Sequence, residues 1–189
     1  MIAHSSNFEI DVFFSDHAAR CTTRDRSCTE AALRSMKSSA KRTALGKPYL
    51  SQIPCFGFSD TARVQAYLLA NRKYVGIDLE SSRRDDLARR ASRLAPLLNR
   101  KDEIEEEFLT LWVAKEACAK CVGLGLLQAL PHMRVVRSER SEEQAGKQLL
   151  MRFGERHFVV QLFRIEDMLV GLCYRRCYGP ARVALHRIR

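Results

Sequence analysis

The hexapeptide "VGIDLE", Val75 to Glu80, constrains this chain more than any other stretch of it. In an extended conformation successive side chains alternate between faces. Val75, Ile77 and Leu79 then point one way and pack a core, while Gly76, Asp78 and Glu80 point the other. The second set presents two acids side by side, with a glycine leaving room in front of them. That is an arrangement for holding something positively charged.

The pattern around it is that of an α+β chain. Alternation predicts a first strand over Phe8 to Phe14. The stretch 28–45 reads as a helix capped by Thr29 and stopped by "GKP" at 46–48, with a loop running on to about Ser59. "ARVQAYLLA" and "KYVGIDLE" follow as two strands joined by a turn at Asn71 and Arg72, and 83–98 is a basic helix ended by Pro96. The strongest helical spacing, that of Phe108, Leu111, Trp112, Ala119 and Val122, predicts a helix over about 102–122. Its acidic start, "DEIEEE", complements the positive helix N-terminus, and Gly123 and Gly125 mark its exit. Four strands close the pattern, "HMRVVRS", "KQLLMRF", "HFVVQLF" and "MLVGLCY", with turns at Glu142–Gly146, Gly154-Glu155 and Glu166-Asp167.

A chain of 189 residues, 46% hydrophobic and 29% charged, buries a core without staples as one domain or two small ones. No stretch approaches the roughly 18 apolar residues needed to span a bilayer. The N-terminus lacks the basic start and long apolar run of a secretory signal, so a cytoplasmic location is expected. Seven cysteines, scattered mostly through apolar segments at Cys55, Cys118, Cys121, Cys173 and Cys177, are expected as reduced, partly buried thiols. "CAKC" at 118–121 has no second pair and no suitable histidines for a zinc site. The net charge of +10 favours an anionic partner, whether nucleic acid, phosphorylated ligand, acidic protein or membrane surface, and charge alone does not choose among them. No helix-turn-helix, zinc-finger or aromatic RNA-binding signature accompanies it. Neither nucleic acid nor membrane is therefore expected as the partner.

Glu116 and Lys120, four apart on the strong helix, share a face, with Lys115 one step round. Each fragment alone is ordinary. A D-x-E on a strand is usually a solvated edge, and an i,i+4 Glu–Lys pair is usually a surface ion pair worth roughly 0.3 kcal/mol. Combined with Asp78 and Glu80 they supply hard oxygen donors of the kind Mg²⁺ takes alongside substrate phosphates. The lysines beside them neutralise phosphate charge. Such a set is equipment for phosphoryl transfer.

"VGIDLE", followed by "FLTLWVAKEACAKCVGLGL" at 108–126, resembles the paired signature of the 4′-phosphopantetheinyl transferases. Their pattern is V/I-G-I/V-D-x-E, then W-x-x-K-E-A-x-x-K and a glycine-bearing turn. The upstream "GKP" is similar to the Sfp-type branch, so the resemblance covers roughly residues 46–126. It implies an α+β fold of two pseudo-symmetric α/β halves with antiparallel sheets. Here the first half, over 1–70, is reduced, and 71–189 carries the metal and catalytic motifs. It implies a monomeric enzyme that moves phosphopantetheine from coenzyme A to a serine of an apo acyl or peptidyl carrier protein, releasing 3′,5′-ADP.

By the same resemblance Asp78, Glu80 and Glu116 are the Mg²⁺ ligands. Lys120 contacts phosphate and steadies the leaving group, supported by Lys115, while Lys47, Ser59 and Arg42 help to bind coenzyme A. The carrier serine attacks the β-phosphorus, and its proton passes to a carboxylate, Glu116 through water being one candidate. Trp112 is assigned to packing, and Asp102 or Glu103 matches a further family acid. Carrier proteins are typically acidic, so Arg83, Arg84, Arg89, Arg90 and Arg93 are expected to steer the encounter.

Two departures stand out. Members of this branch usually carry Ser-His-Ser between GKP and the metal strand, with the histidine near a coenzyme A phosphate. Here "FSDT" keeps Ser59 but puts Asp60 and Thr61 in the other places. An acid beside a phosphate repels it. Asp60 turns away, is compensated by a neighbour such as Arg63, or weakens coenzyme A binding, and weakened binding is the expectation. The short segment before GKP leaves Arg34, Lys37, Lys41 and Arg42 as candidate phosphate contacts. The alternative to an active enzyme is a catalytically impaired relative that acts as a carrier-binding module.

Overall fold

Period-two alternation of apolar residues builds two sheets, and one buried face of each meets the other. The structure, a computed structural model, describes residues 8–16, 24–83, 86–98, 106–141 and 146–188. In chain order the elements are β1 (Glu9–Asp16), α1 (Arg24–Ser39), β2 (Lys41–Arg42), β3 (Pro48–Tyr49), β4 (Cys55–Asp60), β5 (Val64–Ala70), β6 (Val75–Ser81), α2 (Leu87–Leu98), α3 (Phe108–Val122), α4 (Leu126–Ala129), β7 (Met133–Ser141), β8 (Gly146–Phe153), β9 (Arg156–Ile165), β10 (Met168–Arg175) and β11 (Arg182–Ile188). One sheet has the order β11-β1-β5-β4 and the other β6-β10-β9-β8-β7, with β2 and β3 as a separate ribbon. The second sheet is antiparallel throughout, whereas β11 joins the first sheet parallel to β1.

Three apolar clusters fill the gaps between four layers. Leu33 of α1 packs on Phe56, Tyr67 and Ile188 outside the first sheet. Ile10, Val12 and Leu68 face Val75, Ile77, Leu79, Val170 and Leu172 between the sheets. On the far face of the second sheet, Leu111, Val113 and Ala117 of α3 cover Val160, Leu162 and Cys173. The layering is helix, sheet, sheet, helix, a mixed α+β arrangement.

Several expectations give way here. Thr29 lies inside α1 rather than capping it, and α1 stops at Ser39, before the GKP turn. The expected loop up to Ser59 contains β4, whose alternation is interrupted by Gly57. Asn71 and Arg72 do not close a hairpin: β5 and β6 belong to different sheets, and the chain crosses from one to the other. Pro96 sits within the last turn of α2. The helix α3 begins only at Phe108, and Glu106 just before it binds Lys147 (2.6 Å) and Ser138 (2.5 Å) instead of lying in a first turn. Residues 102–105 and the start of the predicted turn at Glu142 lie outside the described residues. The exit at Gly123 is as expected: φ is 84°, and its amide donates to Ala119 O at 2.8 Å.

The close approach of α3 to the second sheet depends on two glycines of neighbouring strands. A Cβ added at Gly76 of β6 would collide with the backbone carbonyl of Ala117 and the amide of Cys121, and one at Gly171 of β10 would press on Val113. The glycine of "VGIDLE" thus makes room for a helix and not, as expected, for a ligand. By contrast, a Cβ at Gly57 would meet only ordinary contacts, the nearest at 3.8 Å. Gly76→Ala is expected to lower unfolding stability by about 1–3 kcal/mol, the scale of an overpacked core, with Gly57→Ala close to neutral. Urea unfolding checks this; equal midpoints for the two variants would rule out the close-approach account.

Candidate active site

Because Val75, Ile77 and Leu79 of β6 are claimed by the core between the sheets, Asp78 and Glu80 face α3. On α3, Glu116 and Lys120 are one turn apart and point toward that strand. Lys120 Nζ donates to Asp78 Oδ1 at 2.7 Å and to Ser59 Oγ at 2.9 Å, and lies 3.7 Å from Glu116 Oε1. Ser59 Oγ in turn donates to Asp78 Oδ1 at 2.9 Å and accepts from the Leu79 amide at 3.3 Å. Four residues from three separate segments therefore converge on one point.

Ser59 reaches this point because β4 lies along the edge of β6 that no strand pairs with among the described residues. Cys55 of β4 donates its thiol to Val75 O at 3.3 Å on the same edge. Lys47 completes the seam: its ammonium donates to Val75 O at 3.2 Å and to Cys121 O at 2.8 Å. The Cys121 carbonyl belongs to the last turn of α3, where a cation is favoured by the helix dipole. Beside this seam opens a cleft of about 240 Å³ lined by Lys47, Lys120, Phe56, Phe58, Ile77 and Leu124, with Arg42 at its rim. Arg42 donates to Gly46 O at 2.7 Å.

Electrostatics sharpen the picture at Asp78. Burial pushes its carboxyl up to about 7; Lys120 works against that, Glu116 adds to it, and the hydrogen bonds from Lys120 and Ser59 oppose it again. The site thus holds two carboxylates against one ammonium.

Other predicted residues stand elsewhere. Glu80 is held by Arg90, whose Nη1 lies 3.1 Å from Glu80 Oε2, and the same guanidinium stands 4.7 Å over the Trp112 ring. Arg90 is therefore no free steering charge, although Arg83, Arg89 and Arg93 remain exposed. Lys115 is fully buried and donates to the Leu98 carbonyl, away from Asp78. Trp112 packs against Phe108, with ring centroids 6.1 Å apart. Arg84, Asp102 and Glu103 lie outside the described residues. Arg63 pairs with Asp167 at 3.3 Å and does not compensate Asp60; Lys37 does, at 2.6 Å, because α1 crosses the outer face of β4. Neither Arg90 nor Lys37 advertises its partner in the sequence, since each pairing spans two elements with no fixed spacing.

Among the described residues the cysteines are free thiols, with Cys177 exposed. Cys55, Cys118, Cys121 and Cys173 are buried and free. Burial raises the Cys173 thiol well above its usual range, and the neighbouring Cys118 and Cys121 thiols add to this, so it stays protonated. Among the described residues no three His, Cys, Asp or Glu side chains gather as a ready metal-binding group; Asp78 and Glu116 share Lys120, and Glu80 is engaged by Arg90.

The stretch that builds this site, from the residue before β6 into β10, is the part of the chain that matches a known family: a sequence model of the 4′-phosphopantetheinyl transferase superfamily covers residues 74–173. The chain belongs to the 4′-phosphopantetheinyl transferase superfamily. No match was found among curated proteins. In this transferase Asp78 and Glu116 lie inside the matched region, whereas Ser59, Lys47 and the cations of α1 are supplied from outside it.

Asp78 carries a stability consequence with a definite sign. Its carboxyl has an ordinary value of 3.8 and is raised to about 7 in the fold, so the native state holds the proton more tightly than the unfolded chain. Stability contributed by the protonated form is lost as pH rises from 3.8 to about 7, after which the buried charge is a standing cost. Asp78→Asn removes that cost. In thermal melts without divalent cations, its melting temperature is expected to gain on that of the native protein across this interval, by roughly 5 °C or more at the top. A gap that stays constant with pH would contradict the burial argument.

Proposed function

We propose that the protein transfers the 4′-phosphopantetheine arm of coenzyme A to a serine of an apo acyl or peptidyl carrier protein and releases 3′,5′-ADP. The observation that carries this is the placement of one helical turn between two cavities. Lys120 lines the polar-mouthed cleft beside Lys47 and Arg42. Glu116, its neighbour one turn earlier, lines an apolar groove of about 680 Å³ formed by Leu94, Leu97, Trp112, Leu126 and Leu127. A nucleotide on one side and a protein surface on the other would meet at this turn, which is what group transfer between them requires. We read the chain as the Sfp-type branch, with residues 71–189 carrying the catalytic motifs, acting as a monomer in the cytoplasm.

A magnesium ion fits the acids at this turn. Asp78 and Glu116 present hard oxygen donors that share the Lys120 ammonium, and two carboxylates with water and diphosphate oxygens suffice for such an ion. When bound, it would neutralise charge developing on the diphosphate. Glu80 orients the wall beside it through Arg90. Lys120 holds Asp78 in place and offers its ammonium to the leaving phosphate; Lys47 and Arg42, bonded to neutral carbonyls, keep their charge for the nucleotide. Ser59 fixes the same Asp78 oxygen from beside Lys120. Glu116, half-exposed toward the groove, is the carboxylate placed to take the proton of an incoming serine hydroxyl. Lys115 braces α3 against α2 through Leu98.

Incubation with coenzyme A, Mg²⁺ and a panel of apo carrier proteins should give the phosphopantetheinyl adduct by intact mass. Asp78→Asn and Lys120→Ala should each reduce it at least about 100-fold, the scale of a lost charge-stabilising group. Carrier binding without adduct would instead favour the impaired, carrier-binding reading.

The exposed Arg89 and Arg93 share α2 with Leu94 and Leu97 of the apolar groove and suit an acidic carrier. Transfer at subsaturating carrier is expected to slow roughly tenfold between low salt and 0.5 M NaCl, roughly the span over which exposed charges are screened. A flat salt profile would remove these arginines from the encounter.

A further inference from the structure

Next to the cleft lies a second hollow, of about 470 Å³, lined by Arg34, Lys37, Arg42, Phe58, Gln65 and Tyr67. Arg42 and Phe58 line both cavities, so the two adjoin. The cleft therefore has a cationic end at Lys120 and Lys47, an apolar middle at Phe56, Phe58 and Ile77, and a second cationic end in this hollow. A ligand with two separated anionic groups matches that layout, and coenzyme A has two: the diphosphate and the ribose 3′-phosphate.

The second end is weaker than its basic residues imply. Arg34 Nη2 sits 2.6 Å from Glu30 Oε1, and Glu30 is further fixed by Ser15 Oγ at 2.8 Å. Lys37 Nζ sits 2.6 Å from Asp60 Oδ2 and stands 4.7 Å over the Phe58 ring, at the junction of the two cavities. Arg42 alone among the three lining cations is bonded to a neutral group in the contacts described, the Gly46 carbonyl. A phosphate monoester carries about −1.5 to −2 charge at neutral pH and is best met by several cations. Asp60 occupies one of them and sets a like charge beside it.

We infer that Asp60 sets the nucleotide specificity of the cleft: by holding Lys37 it leaves the hollow unable to select for a ribose 3′-phosphate, so coenzyme A and its 3′-dephospho form are accepted alike. This rests on the transferase reading for the identity of the nucleotide, and it assigns Asp60 as a specificity-determining residue, not a catalytic one. The Lys37–Asp60 pair is partly solvated, so its own attraction is modest. What Asp60 withholds is therefore Lys37 itself, the cation that lines the hollow.

Titration calorimetry with coenzyme A and 3′-dephospho-coenzyme A decides the matter, with intact-mass transfer assays run on both. The native Kd values are expected to agree within about threefold, a difference too small for a dedicated phosphate contact. Asp60→Asn should tighten coenzyme A about tenfold while scarcely changing the dephospho form, the scale of one charge-assisted contact. Adding Lys37→Ala to Asp60→Asn should cancel that gain, as a coupled pair requires. A native preference for coenzyme A above about tenfold, or an Asp60→Asn protein with the native ratio, would overturn the inference while leaving the transferase reading intact. Transfer from neither nucleotide would overturn the transferase reading, and the two affinities would still decide the role of Asp60.

Discussion

The approach of α3 to the second sheet at Gly76 and Gly171 is the contact on which the rest of the site depends. A helix normally rides on side chains some distance above a sheet; here its backbone rests on the strands themselves. That closeness lets Lys120, from the last turn of α3, reach Asp78 directly. It also leaves Asp78 shut away from water, so the same contact that assembles the site makes its charge expensive. One buried carboxylate, a serine and a shared ammonium then hold one another in place. Preorganisation of this kind costs stability and spares reorganisation when substrate charge develops.

The second constraint is the unpaired edge of β6. An open strand edge is a liability in any sheet. This one is closed by side chains rather than by another strand: the Cys55 thiol, the Ser59 hydroxyl and the Lys47 ammonium satisfy Val75 O and the Leu79 amide. The two sheets meet at this seam, and the cleft opens along it. The "GKP" turn and β4 are thereby structural parts of the site even where they do not touch a ligand. Placing Lys47 on the carbonyl of Cys121 also stops α3 at the point where Gly123 turns the chain into the cleft wall.

What was legible in the sequence follows from what is local. The alternation in "VGIDLE" and the i,i+4 spacing of Glu116 and Lys120 are properties of single elements, and both survive into the fold with the faces they imply. The turns at Gly154-Glu155 and Glu166-Asp167 are local too, and Gly154 and Glu166 take positive φ, 55° and 54°. The illegible parts are those settled by distant neighbours. β11 carries few buried residues and is a strand only because β1, on the far side of the chain, offers it a parallel partner. β4 is masked by Gly57 and by side chains that serve the seam. Arg90 reads as one of several surface arginines until Glu80 and Trp112 are seen beneath it. The glycine in "VGIDLE" was legible as space, but whether a ligand or a helix fills that space is a tertiary question.

The net charge of +10 illustrates the same limit from another side. A basic total says little about where an anion can bind, because cations differ in what already holds them. Lys37 and Arg34 sit on carboxylates, so much of their field is spent within the fold. Lys47 and Arg42 are held as firmly, but by carbonyls, which fix the geometry while leaving the full charge directed outward. Lys120 is intermediate, shared between two acids whose combined charge exceeds its own. Ranked this way, the cations of the cleft fall into an order that composition cannot show, with the strongest attraction for an anion where backbone, and not acid, does the positioning.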